Sequence, residues 1–275
     1  MRPLRWSSYL VSELLKPVFL IFGIFIISIS PLFMTVGGFV WPGLQAISDV
    51  WGQMLRPESL VYTNPTSGVE RSLFPIIFKA FASSLSVLSI ALSVSFFVAL
   101  MGTIILWHGP TRIYKLGLSS SSFLQSIPDV VFVVASQMFL VWLYLETGVS
   151  FAKFSGAGVE EAVLVPALVL AVLPTMYFFQ SMLELVEKEK QEPYYDLAKS
   201  KGLTKLSILL KHILRNMFVR LAYQAKFLIS IMISNLLIVE YLFENFGMTS
   251  FLLIYSQPPV FFVTALLFSC RYICF

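Results

Sequence analysis

The chain has 275 residues, of which 57% are hydrophobic, 15% aromatic and only 12% charged, with a formal net charge of +4. Roughly half the usual charged share cannot cover a soluble globule of this size, and so aromatic a composition excludes a disordered chain. What remains is an all-α, polytopic integral membrane protein, because each backbone amide in lipid must find its partner within its own segment.

A spanning helix needs about 20 mostly apolar residues, each rising about 1.5 Å. In chain order the candidates are Pro17 to Val36, Ala80 to Trp107, Val130 to Leu145, Ala162 to Met182, Ala222 to Phe243 and Pro259 to Phe275. About six transmembrane helices are therefore expected, in a single domain covering 1–275. The first follows a basic start at Arg2, Arg5 and Lys16, and its only small-x-small site, Ser28 to Ser30, runs into Pro31, so it reads as a retained anchor and not a cleaved leader. Pro128 opens the third, where its missing N–H is not needed. The sixth stops at the chain end without a charged tail and reads as a shortened product. Cys270 and Cys274 lie in that last segment, with no disulfide framework and no zinc spacing to His.

Charge then orients the helices. With the N-terminus inside, fifteen of the nineteen basic residues fall on cytoplasmic segments, leaving Arg56, Arg71, Lys79 and Lys153 outside. Under the positive-inside rule both termini are cytoplasmic. Glu146, Glu160, Glu161 and Glu244 make the external side acidic.

The most polar stretch is the loop 184–221, with eight of the nineteen basic and five of the fifteen acidic residues. Leu197, Leu203, Leu206, Leu209, Leu210, Ile213 and Leu214 recur at threes and fours, with lysines opposite. That is an amphipathic helical pattern. Gly202 interrupts it where a left-handed turn would end a helix, and Thr204 is placed to cap the next one. A helix, turn, helix on the membrane surface is predicted; taken by spacing alone, it is equally a basic hairpin resting on anionic headgroups.

The residues of this loop resemble a known signature. Glu192-Pro-Tyr-Tyr-Asp-Leu-Ala-Lys-Ser-Lys-Gly-Leu-Thr204 and Ile208-Leu-Leu-Lys-His-Ile-Leu-Arg-Asn216 resemble the cytoplasmic loop of binding-protein-dependent ABC transporter permeases, and within them the dipeptide, oligopeptide and nickel branch. Tyr194, Ala198, Lys201, Gly202, Leu203, His212, Arg215 and Asn216 fall on the pattern. Glu240, Phe243 and Gly247 resemble the family's Glu-x-x-Phe-x-x-x-Gly segment, and Pro258 and Pro259 stand near its usual Asp-Tyr-Pro. The resemblance covers about 126–268. Ser200 replaces the family's Ala, and Arg220 stands where the family usually has Pro.

The resemblance implies a permease subunit forming half of a translocation pathway for peptides or a related small solute such as nickel. It implies a second homologous permease subunit, two ATPase subunits and an extracellular or periplasmic solute-binding protein as partners, with membrane lipid around them and no nucleic acid. The loop would dock on an ATPase: Leu197, Leu203 and Leu206 would fill its apolar groove, Lys199, Lys201 and Lys205 would set orientation at the rim, and Gly202 would permit close backbone approach. The chain has no G-x-x-x-x-G-K-[ST] phosphate loop. ATP hydrolysis is thus expected on the partners, with no cofactor bound here and no enzyme activity in this chain. No Ser/His/Asp set or paired carboxylate stands at useful spacing, and neither His108 nor His212 is expected to bind a metal.

Inside the membrane, Ser83, Ser86, Ser89 and Ser93 with Ala82 read as a helix-packing face more than a pore lining. Lys226 and Glu240 are expected either to snorkel to opposite interfaces or to serve the pathway. Gln180 and Asn235 either bond between helices or face the route. Two other classes stay open on the sequence: a secondary transporter, which would call for inverted repeats and broken helices, and a non-transporting anchor with a lipid-binding or protein-binding basic hairpin.

Overall fold

The structure, a computed structural model, describes residues 4–35, 37–56, 60–63, 68–148, 163–255 and 257–273. Arg2, Lys153, Glu160, Glu161 and Cys274 lie outside the described residues, as do the side chains of Arg5, Cys270 and Arg271. In chain order α1 (Leu4–Ile29) leads through a 3-10 turn (Ser30–Phe33) to the strand pair β1 (Met34–Thr35) and β2 (Gly38–Phe39). Next come α2 (Gly43–Met54) and a second antiparallel pair, β3 (Val61–Thr63) and β4 (Glu70–Ser72), with Val61 opposite Ser72. Helices α3 (Leu73–His108), α4 (Thr111–Gln125), α5 (Asp129–Thr147) and α6 (Leu164–Glu189) follow. The polar loop holds α7 (Pro193–Ser200) and α8 (Lys205–Ile208), and a π turn (Leu209–Ile213) joins α8 to α9 (Leu214–Leu242). Then come α10 (Met248–Ile254) and α11 (Pro258–Ile273).

Among the described residues, five stretches are long and apolar enough to cross a membrane: Leu15–Phe33, Leu73–His108, Val130–Thr147, Leu164–Glu189 and Lys205–Leu242. The sixth expected span corresponds to α11, whose apolar part, Pro258–Ser269, is shorter. Boundaries moved for physical reasons. The first span does not begin at Pro17, since α1 runs through that proline, and it does not reach Val36, because Pro31 opens a 3-10 turn that hands over to a hairpin. The second starts at Leu73, with Pro75 in the first turn where its missing N–H costs nothing. α6 continues to Glu189 and α9 begins at Leu214, so both flanks of the loop placed at 184–221 are the ends of long helices.

The contacts divide the chain into two compact units, 1–82 with 247–275 and 83–246. In the first, α11 packs on α1 and α2. Phe25 meets the Trp51 ring at 5.1 Å and Phe262 at 6.1 Å, both edge-on. Tyr62 of β3 lies 4.7 Å from Tyr255 and 5.9 Å from Phe251. Such edge-to-face pairs add about 0.5–1.5 kcal/mol beyond area burial.

The second unit is built around α6, which packs on α4, α5 and α9. In its most apolar window 44% of residues are buried, against 6% for α5; α6 is the spine and α5 the periphery. Phe178, Met182 and Val186 of α6 share one apolar core with Ala99 and Trp107 of α3, and that core continues without a break into Ala198, Ile208, Leu209 and Ile213 of the polar loop. The loop is therefore packed onto the helices and not merely laid on headgroups.

At Gly117 of α4 an added Cβ would stand 2.5 Å from Leu106 Cδ1 and 3.6 Å from Phe179, so a large side chain there would have to displace both. Gly117→Leu is expected to destabilise the protein by about 1–3 kcal/mol through overpacking. Gly23→Leu, where a Cβ meets nothing within 4 Å, should leave the melting temperature in detergent nearly unchanged. Equal melting temperatures for the two variants would contradict this packing.

Candidate functional site

The site begins where α6 ends, in Glu187-Lys188-Glu189-Lys190. Glu189 is turned inward and is only 5% exposed. A buried carboxylate is costly unless hydrogen bonds compensate it, and two are in place. The Tyr194 hydroxyl donates to Glu189 Oε2, and Asn216 Nδ2 donates to the same oxygen at 3.3 Å. One carboxylate thus ties the end of α6 to α7 and to the start of α9. Burial, and next the hydrogen bond to Glu189, push the Tyr194 phenol up to about 12, so it remains a donor throughout the physiological range.

A second set of contacts joins the loop to α3. Trp107 Nε1–H donates to the Lys205 carbonyl at 3.2 Å, and the Trp107 ring meets Tyr195 edge-on at 6.4 Å. Tyr114 of α4 donates to the Leu183 carbonyl of α6 at 2.5 Å. Burial, followed by the charges of Glu187 and Glu184, raises the Tyr114 phenol to about 12. Lys190 Nζ pairs with Glu187 at 2.9 Å and sits over the Trp107 and Tyr114 rings at 4.8 and 5.2 Å.

The local folding of the loop follows from its residues. Pro193 occupies the first turn of α7, Asp196 lies in that turn and Lys199 in the last, each favourable to the helix dipole. α7 then closes with a Schellman motif: Leu203 N–H donates to the Ala198 carbonyl at 3.3 Å and Gly202 N–H to the Lys199 carbonyl at 3.0 Å. Gly202 has φ +75°, the left-handed conformation expected of it, and a Cβ there would meet nothing within 4 Å. Within this chain the glycine serves backbone conformation and not close approach. Thr204 caps α8 as expected, its Oγ1 accepting from Ser207 N–H at 3.3 Å.

The expected loop residues separate into two faces. Ala198 faces inward and is 5% exposed, Tyr194 is half-buried, and Asn216, though exposed, reaches Glu189 with its amide. Leu197, Lys199, Lys201, Gly202, Leu203, His212 and Arg215 lie on the exposed side with Leu206 and Lys205. The leucine stripe is likewise divided: Leu209 and Ile213 are core, while Leu197, Leu203, Leu206 and Leu210 face out. α9 passes through Arg220 as unbroken helix.

The second motif lies at the far end of α9. Glu240 is fully buried and accepts from Ser84 Oγ at 2.5 Å, so it does not snorkel; Lys226 is exposed. Phe243 is buried at the helix end, where Glu244 takes φ 50° and Asn245 N–H donates to the Glu240 carbonyl at 2.9 Å. Gly247 is buried and precedes α10, whose Phe251 N–H donates to its carbonyl at 2.9 Å. Gln180 takes the interhelical option, accepting from Gln125 at 2.6 Å, and Asn235 borders a small apolar cavity between α5, α6 and α9. On α3, Ser86, Ser89 and Ser93 are exposed; Ser83 is buried, in line with Ser84 beside it.

Sequence reading missed Glu189, Trp107 and Tyr114. Glu189 is hidden in an alternating charge run that looks like a solvated face; its only signal is a Tyr five residues on. Among the described residues, no group of three or more His, Cys, Asp or Glu side chains is placed to hold a metal ion.

The family model described as binding-protein-dependent transport system inner membrane component matches residues 99–273. The match runs from the last third of α3 to the end of α11 and contains both motifs. No curated protein matches the chain.

Glu189→Ala leaves two donors without their acceptor and should cost about 1–3 kcal/mol of local stability, raising tryptic cleavage at Lys199 and Lys201 at least about fivefold. Protection should be equal at about pH 6 and 9. The Tyr194 contribution is complete below its ordinary value of 10.0 and is lost only as pH rises through about 12. Unaltered cleavage in Glu189→Ala, or protection fading below pH 9, would contradict the anchor.

Proposed function

The chain belongs to the binding-protein-dependent transport system inner membrane components, and on that premise we propose that it forms half of the translocation pathway of an ATP-driven importer of peptides or a related small solute such as nickel. Membership makes it a multi-pass membrane permease component of an ABC transporter, which is not itself an enzyme, and implies a solute-binding protein and ATPase partners. The finer reading adds two ATPase subunits, a second homologous permease, both termini in the cytoplasm and no cofactor on this chain. The peptide and nickel branch rests on the loop residues Tyr194 to Leu203 and His212 to Asn216.

The observation that carries the reading is the anchored α7. Its exposed Leu197, with Leu203 in the turn that follows and Leu206 in α8, faces away from the chain's own core while Lys199, Lys201 and Lys205 surround these leucines. An apolar centre with a charged rim suits docking on a protein groove, where the rim sets orientation and encounter rate. The inner side of the same segment is fixed to α6 and α9 through Glu189 and to α3 through Trp107. When two ATPases close on nucleotide, a displacement of α7 is passed to three membrane helices together, because a packed core transmits strain with little compression. A membrane anchor resting on lipid would not call for the packing of the loop's inner face against α3 and α6 that is present here.

Two measurements test the proposal. Mild-detergent purification from native cells should retain ATPase subunits, and uptake of a dipeptide in reconstituted vesicles should require ATP. Gly202→Val places a β-branched residue at φ +75°, a conformation such residues rarely adopt. It should leave insertion and expression intact and reduce ATP-driven uptake by an order of magnitude or more, roughly the effect of 1.4 kcal/mol or above. Normal uptake at normal expression would refute the coupling role, and ATP-independent uptake without retained ATPases would refute the permease reading.

A further inference from the structure

A cavity of about 370 Å³ opens where the ends of α3 and α6 meet α4, α7 and α8, lined by Trp107, Tyr114, Tyr195, Lys115, Lys190 and Lys205. Glu187 is its one acidic lining residue and is already paired with Lys190 at 2.9 Å. Its lining thus has three lysines against one glutamate, with Glu184 acting on Tyr114 from beyond the lining. We propose that this cavity binds a phosphate ester, presented by the headgroup of an anionic phospholipid of the cytoplasmic leaflet.

Three features argue for that occupant. The first is preorganisation. Lys190 is held at 4.8 Å over Trp107 and 5.2 Å over Tyr114, so its ammonium is fixed at the cavity before a ligand arrives and little rotamer entropy remains to be lost. Lys115 and Lys205, both exposed, add compact point charges of the kind that bind phosphate. The second is size and surface. At about 30 Å³ per water the space equals about twelve waters, enough for a phosphate with a small polar substituent and too little for a folded partner. Trp107 and Tyr114 are 7% and 8% exposed and Lys190 lies over one face of each ring, which leaves little surface for stacking a nucleobase. The third is position. The cavity lies at the helix ends that the charge bias assigns to the cytoplasmic side, with Ile105 of α3 and Ile113 and Leu116 of α4 exposed beside it. A headgroup seated among the lysines would extend its acyl chains along those residues, and basic pockets between helices on this side suit anionic headgroups. The inference does not depend on what the protein transports.

The consequence is a lipid joined to the anchored loop, since Lys205 belongs to α8, Tyr195 to α7 and Trp107 bonds to the Lys205 carbonyl. The test is native mass spectrometry of the complete chain in detergent, titrated separately with phosphatidylglycerol, phosphatidylcholine and inorganic phosphate. Phosphatidylglycerol should be retained at one molecule per chain at least about tenfold more tightly than phosphatidylcholine, and Lys115→Gln and Lys205→Gln should each weaken it about fivefold. Both side chains are exposed, so neither variant threatens the fold. Lys211→Gln, an exposed lysine of the same loop outside the cavity, should change nothing. Equal retention of the two lipids, or an equal loss in Lys211→Gln, would overturn the site. Inorganic phosphate binding as tightly as phosphatidylglycerol would overturn the lipid as its source.

Discussion

The organisation of the polar loop depends on one buried carboxylate. Glu189 has left water at the end of a membrane helix, and an unpaired carboxylate there would cost several kcal/mol. Its compensation comes from residues five and twenty-seven positions away in sequence, Tyr194 and Asn216. Only a conformation that brings α7 back beneath α6, with the start of α9 alongside, supplies both donors. The carboxylate contributes little net stability by itself, and its larger effect is to make other arrangements of the loop unfavourable.

From that constraint the outward face follows. With Tyr194 turned in, Ala198, one turn later, is also turned in and meets the core formed by Phe178, Met182 and Val186. Leu197 and Lys199 on either side must then point away. The Schellman turn at Gly202 carries the chain into α8 with Leu203 and Leu206 on the outer side. The π turn at Leu209–Ile213 inserts an extra residue per turn, which rotates the following helix so that Leu209, Ile213 and Met217 all remain in the core. A small set of local geometries thus separates a uniform-looking leucine stripe into a core face and an exposed face.

This separation explains what was legible in the sequence. The long apolar helices, the Gly202 turn and the Thr204 cap were readable, because each rests on a local signal: hydropathy over about 20 residues, a residue tolerant of positive φ, a side chain that accepts from the first turn. The two faces of the loop were not, since periodicity alone cannot say which leucines meet α3 and α6 and which meet nothing. Glu189 was illegible for a related reason. A lone acidic residue between two lysines is ordinarily solvated, and its partners come from α7 and from the far side of the turn. Glu240 followed the same logic in the membrane, where a carboxylate expected either to snorkel or to serve the pathway is met by Ser84, 156 residues earlier. The boundary of α6 moved because Glu184, Glu187 and Glu189 signal polarity, whereas helical hydrogen bonding continues as long as one face stays packed.

The lysines carry the same lesson into function. Counted together they give orientation, because fifteen of nineteen basic residues fall on one side of the expected topology. That count treats Lys190, Lys199 and Lys201 as equivalent, and the structure does not. Lys190 is fixed over two aromatic rings beside a cavity, whereas Lys199 and Lys201 project from the outer face of α7. A charge held by ring faces is selective for what enters the space in front of it, while charges on long exposed stems tune encounter with a docking surface and are screened by salt. One population of basic residues is thereby proposed to serve two recognitions a few residues apart. Because Trp107 bonds to the Lys205 carbonyl while lining the same cavity as Lys190, whatever fills that cavity bears on the segment through which the proposed partners would move the membrane helices.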